Sequence, residues 1–319
     1  MYTNNWQSII YIIKSSPILR DKVIEIFVKV DDFCKEIQTI LEEKRIEDKK
    51  LGKRCRKTGL CESELISLMV LFHSGQFSNL KSFYVHYALP HLKDLFPGMT
   101  SYNRFVELQP RCAVVFMLFV KMKCLGKSEG INFIDSTHIK VCHNRRIHQH
   151  KVFRDTAERG QCSIGWFYGF KLHLIINDKG EILSFYLTKG NIDDRNLKHM
   201  MDMTKDIFGK LYGDKGYISK AMADILWGNG IQMVTKPRKN MKGSNLSQTD
   251  KIMLRKRAII ECVNDELKNI CKLQHTRHRS VNNFLLNILG ALAAYAFFPK
   301  KPSLNIQFQQ QEKQLFLAA

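Results

Sequence analysis

The chain of 319 residues is long enough for two folding units, and its 45% hydrophobic content is ample for buried cores. Its 50 Lys and Arg against 30 Asp and Glu leave a formal charge of +20, an excess that attracts polyanions and points to nucleic acid. A membrane role is excluded on two counts: no basic amphipathic segment stands beside a lipid anchor, and the most apolar run, 284–298, is shorter than the roughly 20 residues a crossing needs.

The expected elements begin with a long helix over 9–41, where apolar residues recur at mixed three- and four-residue spacing with charges between them. A Lys- and Arg-rich stretch fills 42–57. Residues 63–73 then predict a short helix, Ser74-Gly75-Gln76 a turn, and 79–88 a second helix. That helix–turn–helix pattern places a recognition helix in a DNA groove, or equally describes two packed helices of a bundle. Residues 1–126 are therefore expected to form an all-α region that binds DNA ends.

The texture changes at Gly130. Residues 131–135 predict a strand continued by 136–141. Residues 167–176 alternate up to the hairpin signal Asn177-Asp178-Lys179-Gly180, and 182–187 return. A helix over 194–208, capped by Asp193 or Asp194, precedes a strand at 210–214, a helix at 219–228 and a strand at 231–235. One long helix over 248–271 and an apolar helix from Val281 complete the pattern. A hairpin followed by alternating helix and strand describes a mixed sheet flanked by helices, in the order of a ribonuclease-H-like fold. It is expected over 127–300, with a polar tail at 301–319. The nine cysteines form no CxxC pair, and their odd number fits a reducing cytoplasm. The first 20 residues lack the apolar core of a signal peptide, so a cytoplasmic location is expected.

Three acids sit where such a fold gathers them. Asp135 lies in an apolar strand beside Phe133, Ile134 and Ile139, where a carboxylate is costly unless a cation or hydrogen bonds compensate it. Asp214 ends a strand between Gly213 and Gly216, and strand ends are where α/β sheets place ligands. Glu261 lies on the long helix, about 40° around from Arg257, with Lys268 about 20° from Arg257, so the three share a face. Ile259, Ile260, Val263, Leu267 and Ile270 form a separate apolar stripe. Moving a phosphoryl bond needs an activated oxygen nucleophile and a stabilised leaving oxygen. Two divalent ions about 3.5–4 Å apart supply both. Oxygen-only ligands favour Mg²⁺ or Mn²⁺ over Zn²⁺.

These residues resemble the DDE transposases of bacterial insertion sequences. The order Asp135, Asp214, Glu261 matches the family's Asp, Asp, Glu, and Arg257-x3-Glu261-x6-Lys268 matches the last motif of the group related to insertion-sequence family four, with Leu254 where that group has Tyr. The strings Phe133-Ile134-Asp135-Ser136-Thr137, Gly169-Phe170-Lys171-Leu172-His173, Gly190-Asn191-Ile192-Asp193-Asp194-Arg195 and Gly213-Asp214-Lys215-Gly216-Tyr217 look most like insertion-sequence family 982. The resemblance implies that Asp135, Asp214 and Glu261 are the catalytic, metal-binding acids, with Mg²⁺ as cofactor and Mn²⁺ as its substitute. It implies water attack at the terminal inverted repeats, then attack of the freed 3′-hydroxyl on target DNA, by an oligomer that holds two double-stranded ends.

Further basic residues are read as DNA contacts. Arg257 and Lys268 are candidates for the backbone, Lys215 follows the second acid, and Lys236, Arg238 and Lys239 form a phosphate clamp before the long helix. His138, His143, His148 and His150 crowd Cys142, but one Cys does not match a zinc spacing, so Arg145 and Arg146 mark this window as a basic DNA-contacting loop. Trp166, Phe167 and Tyr168 are read as strand core, with stacking on bases as the alternative. Asp193 and Asp194 rival Asp214 as the second acid. The other readings of the chain are a structure-selective nuclease of the same fold and a DNA-binding regulator without catalysis.

Overall fold

The computed structural model describes residues 17–47, 59–75, 77–163, 165–237, 246–274 and 278–304, with the side chains of 17–19 and 41–47 outside that description. Contacts divide the chain into two units, 1–123 with 282–297 and 124–281 with 298–319. No helix among the described residues is long and apolar enough to cross a membrane.

In residues 17–123 every described element is helical. Pro17–Glu47 carries the first predicted helix, of which residues 9–16 lie outside the description. Glu62–Ser74 is buried along nearly its whole length, as a bundle helix is. Leu80–Phe83 starts at an Asn79 cap, whose side chain accepts the Ser82 N–H at 2.8 Å, and runs through a π turn, Tyr84–Ala88, into Leu89–His91. Aromatic rings fill the core: Tyr84 stacks on Phe105 at 4.3 Å and Phe33 meets Phe119 edge-on at 5.4 Å. The apolar helix Val281–Ala296, read from sequence with residues 127–300, groups by its contacts with this helical unit from Asn282 onward. A Cβ at Gly290 would lie 2.4 Å from the His73 ring.

Among its described residues the second unit is built on six strands: β1 Ile131–Cys142, β2 Glu158–Cys162, β3 Gly165–Asn177, β4 Ile182–Lys189, β5 Gly209–Gly213 and β6 Ile231–Thr235. β1 lies between β3, antiparallel to it, and β5, parallel to it; β6 continues the parallel side. β2 and β4 share the other edge of β3, β2 along Gly165–Gly169 and β4 along Phe170–Ile176. The β3–β4 hairpin turns where the sequence signals it: the Asn177 side chain accepts the N–H groups of Lys179 and Glu181, and Gly180 takes φ +72°. Asn132, buried in β1, donates to the carbonyls of Phe208 and Lys210 and so fixes the entry of β5 beside β1.

Alternation along the strands sends successive side chains to opposite faces. Ile134, Ile175, Leu211 and Ile231 pack with Met200, Met203, Met222 and Leu226 of the helices Leu197–Met203 and Lys220–Gly228. Their neighbours Asp135, Lys210 and Tyr212 meet the helices Gln248–Lys256 and Ala258–Asp265. The sheet is thus mixed and flanked by helices.

Four local expectations change. β2 arises in a stretch for which the sequence predicts no element. The helix expected over 194–208 is only Leu197–Met203, and its cap is Asn196, whose side chain accepts the His199 N–H, so neither Asp193 nor Asp194 caps it. The long helix over 248–271 is broken at Arg257 and finishes as a π turn, Glu266–Ile270. That turn moves Ile270 off the apolar stripe: it is 48% exposed, whereas Ile259, Ile260, Val263 and Leu267 are buried.

β2 is held against the loop that follows β4 by bare backbone. A Cβ on Gly160 would sit 2.2 Å from the Gly190 carbonyl oxygen. Gly160→Ala should therefore displace residues 190–195 and cost about 1–3 kcal/mol, read as a lowered midpoint in denaturant unfolding. An unchanged midpoint would show that the loop yields freely.

Candidate active site

Asp135 and Asp214 stand side by side by construction. The last β1–β5 pair is Phe133 with Tyr212, and each acid lies two residues beyond it, Asp135 within β1 and Asp214 just past the end of β5. Gly213 between them is closely packed, since a Cβ there would lie 2.5 Å from the Met233 methyl and 3.1 Å from Ile134. The exposed Asp214 side chain accepts the Lys215 N–H at 2.7 Å and caps the short turn Lys215–Tyr217.

The third acid comes from the helix packed on β1. Arg257 is the break between Gln248–Lys256 and Ala258–Asp265, and its half-buried guanidinium reaches two carboxylates. Nη2 donates to Glu261 Oε1 at 2.8 Å, and Nη1 lies 3.7 Å from Asp135 Oδ1. Asn264, buried one turn after Glu261, donates to Asp135 Oδ2 at 3.2 Å. Asp135 is pushed up to about 6, chiefly by burial. Arg257 and the Ser136 backbone oppose the rise, and the charges of Glu261 and Asp214 add to it. Asp214 and Glu261 are therefore both within electrostatic reach of Asp135.

Lys268 joins this neighbourhood from the π turn. Burial, then the charge of Lys140, holds its ammonium below its ordinary range, and Asp135 opposes that shift. His138 lies 5.3 Å from the Phe167 ring and is lowered to about 4 by burial and by Lys268 and Lys140, so it is neutral at pH 7. Lys215 is exposed beside Asp214, and Lys236 is exposed just beyond β6. Arg145 and Arg146 are exposed on the turn Asn144–Gln149, apart from these. Arg238 and Lys239 lie outside the described residues. Leu254, at the position of the family's Tyr, is buried.

Asp193 and Asp194 are engaged elsewhere. Asp193 accepts from the Arg195 backbone and guanidinium. Asp194 pairs with Lys171 at 3.1 Å. Trp166 departs from the core reading at 58% exposure, while Phe167 and Tyr168 are buried as expected. Two residues escaped the sequence reading: Asn264, which shares the Arg257–Glu261 side of the helix at i+7 and i+3, and Tyr217, fully buried beside Asp135 and Asp194. The signal for Asn264 was its helical spacing; that for Tyr217 was only its place in the Gly213–Tyr217 string.

Among the described residues no group of three or more His, Cys, Asp or Glu side chains converges as a ready metal site. Around Asp135 and Glu261 the cation between the carboxylates is Arg257 itself. The donor set, all carboxylate oxygen, fits a hard divalent ion rather than zinc.

Residues 125–281 match the family model described as a transposase DDE domain. No curated protein matches the chain. Among solved structures, the piggyBac transposase synaptic complex with hairpin DNA is 11% identical, covering 96% of this chain and 80% of that one at a TM-score of 0.41. The Mos1 strand transfer complex is 10% identical, covering 82% and 84% at a TM-score of 0.24. The match of residues 125–281 to a transposase DDE domain supports a DNA-cleaving and strand-transferring enzyme.

Proposed function

We propose that this transposase cuts the inverted-repeat ends of a bacterial insertion sequence of family 982 and joins the freed 3′-hydroxyl to target DNA, with Asp135, Asp214 and Glu261 as its catalytic acids. The observation that carries the reading is the register: two acids each two residues past the last β1–β5 pair, with Glu261 brought to them by a helix packed on β1. The strand order β4-β3-β1-β5-β6 is that of a ribonuclease-H-like fold.

The three carboxylates would hold Mg²⁺, or Mn²⁺ in its place. A pair of such ions lowers the pKa of an attacking water and stabilises the leaving oxygen. Arg257 is held between Asp135 and Glu261, and a DNA phosphate offers it an equally charged partner. Its transfer to the DNA backbone frees both carboxylates as the substrate arrives. Lys215, Lys268, Lys236, Arg145 and Arg146, with Arg238 and Lys239, would supply further backbone contacts. The helical region, 1–126, would bind the element ends, and the enzyme would act in the cytoplasm as a homo-oligomer holding two ends.

The test is a cleavage and strand-transfer assay on labelled DNA from the flanks of the gene, with Mg²⁺, Mn²⁺ or EDTA, beside Glu261→Gln. Metal-dependent cuts at defined ends, joined products and their loss in the variant are expected. Cutting without joining would make the protein a nuclease, and binding without cutting a regulator.

A further inference from the structure

Of the four sequence strings that mark this chain, 133–137 and 213–217 carry Asp135 and Asp214, whereas 169–173 and 190–195 carry none of the three acids. Folding brings all four to one buried cluster. Lys171 of β3 donates to Asp194 Oδ1 at 3.1 Å and to the Ile192 carbonyl at 2.9 Å. His173, on the same face of β3, has Nδ1 3.9 Å from the same Asp194 oxygen, and its Nε2 hydrogen-bonds Thr188 Oγ1 at 2.9 Å. Burial lowers His173 to about 4, so Lys171 is the cation that balances Asp194. In the ladder His173 stands opposite Ser136, the neighbour of Asp135. Tyr217 enters from the turn after β5. Its N–H donates to the Asp214 carbonyl at 3.0 Å, and its ring packs with Ile134, Ile175 and Met222.

One group of this cluster is unspent. The Tyr217 hydroxyl is buried and meets no hydrogen-bond partner among the described residues. Burial, then the charges of Asp194 and Asp135, holds it well above the ordinary phenol range, so it keeps a proton to donate. An orphaned buried donor is rare in folded proteins and calls for a role. The two strand acids differ in how they are held. Asp135 lies within β1 and takes a hydrogen bond from Asn264, whereas Asp214 is exposed on a three-residue turn. Ions about 3.5–4 Å apart tolerate little error between their ligands, so that turn needs a hold from the core. Tyr217 is the residue of the turn that reaches it.

We infer that Asp194 is a positioning residue for the two strand acids: it fixes Tyr217, and Tyr217 holds the Asp214 turn against β1 when divalent ions load. The inference rests on the reading of the three acids above and deepens it. Groups behind the ligands of a metal site commonly govern its affinity, because they set where the ligands stand.

The test compares Tyr217→Phe, Asp194→Asn and the double variant with wild type, and Glu261→Gln marks the ions that the acids hold. Mn²⁺ is titrated into each protein on pre-cut flank duplex, with free ion read by electron paramagnetic resonance. Cutting of intact duplex, duplex affinity and the denaturant midpoint are measured beside it. Phe keeps the ring and removes a hydroxyl that has no partner, so a merely structural role predicts an unchanged or higher midpoint and unchanged Mn²⁺ binding. Asn keeps the shape and an oxygen for Lys171. Positioning predicts that either variant weakens Mn²⁺ binding and slows cutting about tenfold, with duplex affinity unchanged. Because Asp194 acts through Tyr217, the double variant should lose no more than the single ones. Should Asp194→Asn lower the midpoint, Tyr217→Phe decides alone. Wild-type Mn²⁺ affinity in Tyr217→Phe, or losses that multiply in the double variant, overturns the positioning role and leaves the acids in place. Absence of Mn²⁺ binding and cutting in wild type, or both surviving in Glu261→Gln, overturns the reading of the acids and the positioning role with it.

Discussion

Asp135→Asn protein is expected to cut DNA at least about 10³-fold more slowly than wild type while still binding it. The substitution keeps the shape and one oxygen for the Asn264 amide, so the helix stays docked on β1. What is lost is the anionic charge that a divalent ion, held here as proposed, would require. The same carboxyl sets a pH limit. Asp135 is raised from the ordinary 3.8 to about 6, chiefly by burial, so below about pH 6 it must give up a proton before it can ligate. The half-saturating Mg²⁺ concentration in the cleavage assay should then rise roughly tenfold for each pH unit below 6. A profile flat from pH 5 to 8 would remove Asp135 from the site. Stability follows with its own sign. A folded pKa above the unfolded value means that the native state binds more protons between about pH 4 and 6. Asp135 therefore favours folding below about pH 4, and that contribution is lost as the pH rises through 6. In EDTA above pH 6, Asp135→Asn should be the more stable protein, by at most about 3 kcal/mol for a rise from 3.8 to about 6, less what Arg257 loses with its partner.

The parts of this site that sequence revealed are those encoded locally. Asp135 inside an apolar strand, Asp214 before a glycine-flanked turn and the four-residue step from Arg257 to Glu261 depend on neighbours along the chain. What stayed hidden depends on distant anchors. The helix break at Arg257 has no Pro or Gly to announce it; Arg257 takes φ −52° and ψ −22°, and its carbonyl accepts from Ile260 in a tight turn. The cause is tertiary. Gln248–Lys256 is tied to β5 through Asp250, and Ala258–Asp265 to β1 through Asn264, so two anchors set two axes. Ile270 fell off the predicted stripe because the π turn rephases everything after Asp265. Likewise, Asp194 reads as a cap until Lys171, 23 positions away, claims it. Trp166 reads as core from its strand neighbours, yet it stands 58% exposed beside a cavity whose walls come from β2, β3 and the loop after β4.

The largest loss of stability is expected at Asp250, a residue outside the acid site. Its carboxylate is nearly buried at the start of Gln248–Lys256, where Oδ1 accepts from Tyr212 Oη at 2.9 Å and Lys210 Nζ at 3.2 Å, and Oδ2 from Ser247 at 2.8 Å. Lys210 is itself only 7% exposed, and its ammonium pairs with this carboxylate inside the protein. Asp250→Ala takes the same carboxylate from a buried ammonium and a buried hydroxyl, and should cost about 3–5 kcal/mol in denaturant unfolding. Replacing the pair together, Lys210→Met with Asp250→Leu, should cost much less, because both buried charges are removed at once. Equal losses in the two proteins would mean that packing, and not the ion pair, holds the helix to β5. The pH response gives an independent reading. Burial alone would raise the Asp250 carboxyl, but the hydrogen bonds from Ser247, Tyr212 and Lys210 outweigh it and hold the group below its ordinary value. A depressed folded pKa contributes stability that is present above the unfolded value of about 3.9 and is lost as the pH falls toward the folded one. Wild type should therefore lose stability below about pH 4 more steeply than the double variant. Since this anchor also sets where Arg257 and Glu261 stand, cleavage by the double variant measures how far the register of the helix on β5 governs the chemistry at β1.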